Sequence, residues 1–392
     1  MTSPKNKKLI YILNSYSKNE SSHFFHVLNL LEEMAKQGVD IVLLIEKASD
    51  IPTFIQKNIS VTVLNKNGKI GRFIELFLKL KDLNAKGFNR SYVRIASTTA
   101  IVAAISNKMF GGRTYFWQSG TTLEWDLERP LNAKKIKWYL TSYLPSRLAR
   151  YLVDYFVTGP ESMVDYYANV AGVKRNKIRL LYNDIDIARF EVNAEKKQAM
   201  RSEFLLKNNL ALDTKILLLV HRLSPVRKTT MYFPHCLNEM KLAGKMENVF
   251  VVIAGAGAEL SSIKSLAKKF DVYQNCLFLG DVPNSVIQDL YKIGDVFIHP
   301  TYNEGFPRVV LEAMASSLPI VSTDAGGTNQ LVGLLQTKFI SDKDDVGAFI
   351  ANLIHLISDE ELGSAIAREN RNHVERFATE RIAGMYKEVI FE

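Results

Sequence analysis

Two doubly wound α/β domains are the fold class this 392-residue chain predicts, on three observations. The length exceeds what one compact core holds, at roughly 100–200 residues per domain. Short, continuously apolar runs alternate with amphipathic segments, the pattern of parallel strands covered by helices on both faces. The pattern starts again near Ile216, so a second stack follows the first. A hydrophobic share of 47% with 23% charged and 10% aromatic residues excludes disordered, collagen-like and coiled-coil chains.

Taken in order, Leu9–Leu13 reads as a strand. Phe24–Lys36 reads as a helix, with Phe24, Val27, Leu28, Leu31 and Ala35 on one face and Gly38 where a helix end favours it. Ile41–Ile45 is the next strand. In the second stack the strands are Ile216–Val220, Val249–Ala254, Cys276–Leu279, Val296–His299 and Ile320–Thr323. The link is expected in the charged, helix-prone stretch 191–209. That divides the chain into a first domain (1–195), a second domain (196–375) and a closing helix (376–392) expected to pack back on the first. In open parallel sheets ligands bind at the carboxyl ends of the strands, which places them in a central cleft that the two domains face.

Charge is unevenly divided. Residues 1–190 hold 28 Lys+Arg against 16 Asp+Glu, and the remainder 22 against 25, a balance of +12 against −3. A basic half points to an anionic partner: lipid, nucleic acid or a phosphorylated substrate. Two segments sharpen this. GRFIELFLKLKDL (71–83) and KKIKWYLTSYLPSRLARYLVDYF (134–156) mix Lys and Arg with apolar and aromatic residues at helical spacing. That is the composition of a helix lying on an anionic membrane. The favoured expectation is that their apolar faces are core and their charges a solvated rim, with membrane contact as the alternative. The two cysteines, Cys236 and Cys276, supply neither a disulfide framework nor a zinc site and suit a reducing compartment. A polar start running straight into a strand, with no apolar stretch of ~18–20 residues, predicts a cytoplasmic protein, soluble or peripheral on the membrane.

The segment HPTYNEGFPRVVLEAMASSLPIVSTDAGG (299–327) carries the most chemistry. A strand ends at His299, and Pro307 opens a helix running to about Ser317, where its missing N–H costs nothing. Glu312 lies five residues past Pro307, ~7.5 Å along the axis. Its side chain leans toward the helix start, near Glu304 in the loop. The N–H groups of Gly305, Phe306 and Arg308 favour an anion at the same mouth. Two carboxylates beside an anion site suit a sugar nucleotide, the carboxylates accepting from hydroxyls and the N–H groups holding phosphate. The competing reading is a surface helix whose Glu312 pairs with Arg308.

These residues resemble the retaining glycosyltransferases of family 4, the glycosyl transferases group 1, which have the GT-B fold. The two Glu separated by seven residues, Gly-Phe-Pro, the Glu-Ala-Met-Ala run and the closing Gly326-Gly327 agree together. Lesser matches are TGPESM (158–163), KIRLLYNDIDIARF (177–190), HRLSPVRK (221–228), IAGAGAEL (253–260) and FLGDVP (278–283). The resemblance implies hexosyl transfer from a UDP- or GDP-sugar to a glycan or lipid-linked hydroxyl, with retention, in surface polysaccharide assembly. It implies that Glu304, Arg222 and Lys228 are catalytic, with Arg227 a second fit to the lysine position. Fixed cations there would stabilise charge growing on the leaving diphosphate. Glu312, Gly305, Phe306 and Pro307 would bind donor, with Gly255 and the backbone near Asp281 and Val282 at the phosphate and base. Gly255 and Gly257 have a plainer reading as a tight strand-to-helix turn.

The chain also departs from that pattern. NSYSKNESSHFFH (14–26) stands where many members have Gly-Gly, and Gln330 replaces a Glu. Gln118 in YFWQSG occupies the place of a first-domain His and would position a hydroxyl or carbonyl; His23 and His26 are alternatives. No metal or other cofactor is expected, on the reading that the chain has neither an Asp-x-Asp triplet nor a His/Cys cluster. A nucleotide-sugar epimerase or phosphorolytic enzyme would share the diphosphate site, while a nucleic-acid binder would share only the charge.

Overall fold

The computed structural model describes residues 7–17, 25–66, 68–120, 132–191, 193–226, 228 and 232–392. Among them the chain forms two compact units, Met1–Asp184 with Thr379–Glu392, and Ile185–Ala378.

The first unit is built on seven parallel strands: β1 (Lys7–Leu13), β2 (Val39–Ile45), β3 (Ile59–Val63), β4 (Arg90–Arg94), β5 (Arg113–Trp117), β6 (Tyr155–Thr158) and β7 (Ile178–Leu180). Their order is β3-β2-β1-β4-β5-β6-β7. The continuous apolar runs have the burial such a sheet demands, Leu9 to Leu13 being wholly buried. The first helix, Phe25–Lys36, ends at Gly38, whose φ of 85° is the left-handed conformation that closes a helix without a side-chain penalty. Helix Ser97–Phe110 turns Ala100, Ala103 and Ala104 to the core. That small-residue face packs between helices Lys69–Ala85 and Leu144–Leu152.

The expectation that the apolar faces of 71–83 and 134–156 are core holds only in part for 71–83 and for the end of the second segment, and fails from Ile136 to Tyr151. Leu76 and Leu80 are buried, yet Ile74 and Leu78 are exposed. Ile136, Leu140, Leu144, Leu148 and Tyr151 are exposed too, and the buried face of Leu144–Leu152 is Ser146, Ala149 and Arg150. The reason is local: a helix packed on an alanine face presents its small residues to it. The stretch is also not one regular helix. Ala133–Trp138 passes into a π-helical turn, Tyr139–Tyr143, before Leu144–Leu152. Pro145 lacks the N–H that would bond four residues back, and the wider turn absorbs that loss. Among the described residues no helix is long and apolar enough to cross a membrane.

The closing helix, Thr379–Phe391, belongs to the first unit. Tyr115 donates to Ile390 O at 3.0 Å, Lys387 Nζ to Gln37 O at 2.6 Å, and Thr379 Oγ1 to Asp184 Oδ2 at 2.8 Å.

The second unit holds six parallel strands: β8 (Lys215–Val220), β9 (Val249–Ala254), β10 (Cys276–Gly280), β11 (Val296–His299), β12 (Ile320–Thr323) and β13 (Ile340–Ser341). Their order is β10-β9-β8-β11-β12-β13. Helix Ala194–Lys207, in the stretch read as a link, lies within this unit. Arg201 ties it down, pairing with Asp295 at 2.8 Å and donating to Thr214 O at 2.6 Å. The division therefore falls at Asp184, upstream of the boundary at 195.

Candidate functional site

The second sheet grows outward from β8 to β9 and β10, then crosses back to β11. Its switch point therefore lies between β8 and β11, and most of the residues singled out in this half fall on loops at the carboxyl ends of these strands.

After β8, the backbone of His221 and Leu223 continues the ladder past the strand end. His221 N donates to Ala254 O at 3.0 Å and Leu223 N to Ala256 O at 3.1 Å. A Cβ on Gly255 would stand 1.9 Å from His221 O, and one on Gly257 2.0 Å from Leu223 O. These glycines are required by the approach of two backbones, which accounts for the Gly-x-Gly without any ligand. Gly280 turns the neighbouring strand end with φ 70°, just ahead of exposed Asp281 and half-buried Val282.

After β11, Thr301 N donates to Thr323 Oγ1 at 3.0 Å, and Ser322 Oγ to His299 O at 3.2 Å. Gly326 and Gly327, at φ 63° and 73°, bring the next loop against Glu304, where a Cβ on Gly326 would sit 2.5 Å from Glu304 O. Glu304 is thereby clamped from behind, its side chain 9% exposed and Oε1 3.7 Å from His299 Nε2. Gly305, Phe306 and Pro307 follow; buried Phe306 packs edge-on against Phe377 at 6.4 Å, and Pro307 caps helix Arg308–Ala315. That helix stops before the expected Ser317, which takes φ 57° ahead of Pro319.

Glu312 is half-buried, and Tyr291 donates to its Oε2 at 2.9 Å. Burial, and then the adjacent Glu312 charge, hold the Tyr291 phenol well above its usual pKa, so it remains a donor. Sequence reasoning missed Tyr291, which lies on helix Asn284–Ile293 and carries no local signal.

The cations are placed unequally. Arg222 is exposed. Lys228, at φ 52°, sets Nζ 3.6 Å above the Tyr302 ring, and Lys343 approaches the same ring at 4.7 Å. A cation held over an aromatic face is favoured by the ring's quadrupole, so the loop before Glu304 gathers positive charge. Arg227 and His23 lie outside the described residues. Gln118 lies in the first unit, past β5, where its Oε1 accepts from Ser146 Oγ at 3.2 Å.

One grouping contradicts the expectation that no His cluster exists. His221 and His299, far apart in sequence, meet ring to ring at 5.0 Å. With Glu304 they place three ligand-type atoms within 4.8 Å of one another, and among the described residues no other such group occurs. Two imidazoles and a carboxylate are a set that zinc accepts. Asp-x-Asp triplets also occur, at 184–186 and 342–344, against the expectation of none, and they serve otherwise: Asp184 accepts from Thr379, and Asp342 Oδ1 from its own turn at Asp344 N.

The family match falls on this unit. Residues 200–373 match the family model described as Glycosyl transferases group 1. Over 227 residues the chain is 26% identical to N-acetyl-alpha-D-glucosaminyl L-malate synthase of Bacillus anthracis, covering 56% of this chain and 55% of that one. Over 202 residues it is 26% identical to the UDP-Gal:alpha-D-GlcNAc-diphosphoundecaprenol alpha-1,3-galactosyltransferase of Escherichia coli, covering 50% and 49%. The chain spans about half the length of these curated relatives. It is similar in structure to Anabaena HepE crystallised with UDP and glucose, with a TM-score of 0.74 at 16% identity over 98% of this chain and 99% of that one. Together with the two parallel sheets, this shows the GT-B fold.

Proposed function

We propose that this GT-B chain transfers a sugar from a nucleotide-sugar donor to a hydroxyl of a glycan or lipid-linked acceptor, with retention at the anomeric carbon. The observation that carries the reading is the pair Glu304, in the loop before helix Arg308–Ala315, and Glu312, within that helix, one clamped by Gly326 and the other held by Tyr291. It lies within the stretch that matches the group 1 model. Support for the donor class comes from the structural neighbour, crystallised with UDP and glucose.

In this reading Glu304 and the N–H groups of Gly305 and Phe306 hold the sugar, and Glu312 holds the ribose. Arg222 and Lys228 face the diphosphate. As the glycosidic bond breaks, negative charge grows on the departing phosphate, and a fixed group stabilising such charge is worth about 2.7–4 kcal/mol of barrier. A phosphate oxygen then takes the proton of the incoming hydroxyl on the same face, which yields retention without an enzymic nucleophile. Backbone near Asp281 and Val282 meets the base.

The test is a panel of sugar nucleotides with glycan and lipid-linked acceptors, read as nucleoside diphosphate release and product linkage. Diphosphate release coupled to an α-linked product from an α-linked donor is expected. Isomerised or free sugar formed with no acceptor would assign the epimerase or phosphorolytic reading instead. The His221–His299–Glu304 group favours one competing arrangement, a divalent ion beside the sugar. Chelation is expected to leave the rate unchanged; loss on chelation with recovery on adding zinc or manganese would place an ion there.

A further inference from the structure

The group formed by His221, His299 and Glu304 is built on three backbone positions that are each held separately. His221 follows β8 directly: its N–H donates to Ala254 O at 3.0 Å, and the missing side chain of Gly255 lets its carbonyl lie against the neighbouring turn. His299 is the last residue of β11, in register with Ser322 of β12, and its ring stacks on Phe297 at 5.9 Å and 17°. Glu304 is fixed by the close approach of Gly326. Strands β8 and β11 are neighbours, so the crossover sets the two imidazoles side by side. A ligand set carried on paired strands and a clamped loop is pre-organised, which lowers the entropy cost of ordering it on binding.

The donor set selects the ion. Imidazole nitrogens suit zinc, copper and nickel, whereas magnesium and calcium require oxygen ligands. Tetrahedral zinc, with bonds of about 2.0–2.2 Å, holds its ligand atoms ~3.4 Å apart. His299 Nε2 and Glu304 Oε1 already stand at 3.7 Å, and the whole set lies within 4.8 Å, so small side-chain rotations close it. Three protein ligands leave a fourth position for water. His299 is wholly buried and His221 6% exposed, so the Glu304 side chain is the most accessible of the three. An ion on this set draws the Glu304 carboxylate toward two buried rings and away from any ligand at its loop.

We propose that His221, His299 and Glu304 form a site for a transition-metal dication such as zinc, and that the ion acts as a brake, because metal and donor sugar compete for one carboxylate. The ion site stands on geometry alone; the brake rests on the assignment of Glu304 to the sugar. Such competition is reciprocal, so each ligand weakens the other by the same factor. A catalytic ion behaves in the opposite way: here the rate is highest without metal.

Calorimetric titration of zinc chloride into the full chain tests the site, with cobalt chloride as a second probe whose visible absorption reports four-coordinate ligation. Zinc binding with intense cobalt bands is expected, and no binding of magnesium. His221→Asn should weaken zinc roughly tenfold or more and keep turnover without added metal. His299→Gln should weaken zinc likewise; circular dichroism monitors its fold, and His221→Asn decides the matter if that variant does not fold. In steady-state kinetics zinc should raise donor KM and leave kcat unchanged. It should do so far less in His221→Asn, which separates this site from zinc held by the donor's own diphosphate. No zinc binding, magnesium binding as tight as zinc's, or variants that bind zinc as wild type does would overturn the proposal. Zinc binding lost in the variants while donor KM never moves would keep the ion site, overturn the brake and detach Glu304 from the sugar. The titration decides the site even if no donor is turned over, so failure of the transfer reading is told apart from failure of the site.

Discussion

The two units share one architecture and put their charged residues at opposite ends of it. In the second, Glu304, Arg222 and Lys228 follow the carboxyl ends of β8 and β11, where loops are fixed by backbone contact at Gly255, Gly257 and Gly326. In the first, Arg113, Lys177 and Arg179 gather at the amino ends of β5 to β7, beside an uncovered apolar helix face. The difference teaches that the strand-end rule locates a site only where the loops carry it. A parallel sheet has a second rim, and here that rim holds a cluster of the surplus charge.

The comparison breaks most visibly through turnover. Arg222→Ala with Lys228→Ala is expected to lower kcat by at least a hundredfold and donor affinity by less, because cations act most on charge that develops during reaction. Steady-state kinetics against donor concentration separates the two. Near-normal kcat would remove both residues from the leaving group and erase the contrast with Arg113 and Arg179.

A second difference lies in how the glycines act. Gly255→Ala forces a Cβ into His221 O and should destabilise the second unit at the upper end of about 1–3 kcal/mol. Gly384, inside the closing helix of the first unit, would meet only Gln37 Oε1 at 3.8 Å. Gly384→Ala should therefore stabilise by roughly 0.5–1 kcal/mol. Urea unfolding of both variants checks the opposite signs.

How much of this was legible in the sequence follows from how local each feature is. The signature from His299 to Gly327 runs without interruption from a strand end through a loop, a helix and the next strand to a second loop, so its spacing alone carried the placement of Glu304, the start of the helix and the Gly-Gly turn. The pairing of His221 with His299 was illegible, because the crossover from β10 to β11 creates it. Tyr291 under Glu312 was hidden for the same reason. The helix faces of the first unit were misread because apolar spacing reports that a stripe exists and not whether anything covers it. Leu140 to Tyr151 carry a core-like period and remain outside, while Ser146 and Ala149 turn inward.

Tyr291→Phe sharpens the donor-site half. Removing the hydroxyl leaves a half-buried carboxylate short of one donor, for a cost of about 1–3 kcal/mol in stability. Donor KM should rise with kcat nearly kept, since Glu312 is assigned to binding; an unchanged KM would detach Glu312 from the ribose.

The smallest effect concerns pH and also separates the units. Both cysteines lie in the second unit, and burial pushes each thiol up to about 12. An unfolded thiol titrates near ~8.5, so above that pH the unfolded chain binds fewer protons than the folded one. Stability of the second unit should therefore fall as pH rises from ~8.5 toward 12, and be flat in this respect below ~8. Alkylation at pH 8 should be slow in the native protein and report opening of the second unit alone. Rapid labelling under native conditions would show that these thiols are not protected.

The division of labour between the units is tested most directly by calorimetric titration of UDP and GDP into three proteins: wild type, Arg222→Ala with Lys228→Ala, and Arg113→Ala with Arg179→Ala. The account predicts that the wild type binds one of these nucleotides, that the first pair of substitutions weakens it at least tenfold, and that the second pair leaves it unchanged. Equal affinity in the first variant, or loss in the second, would contradict the placement of the nucleotide at the carboxyl ends of β8 and β11.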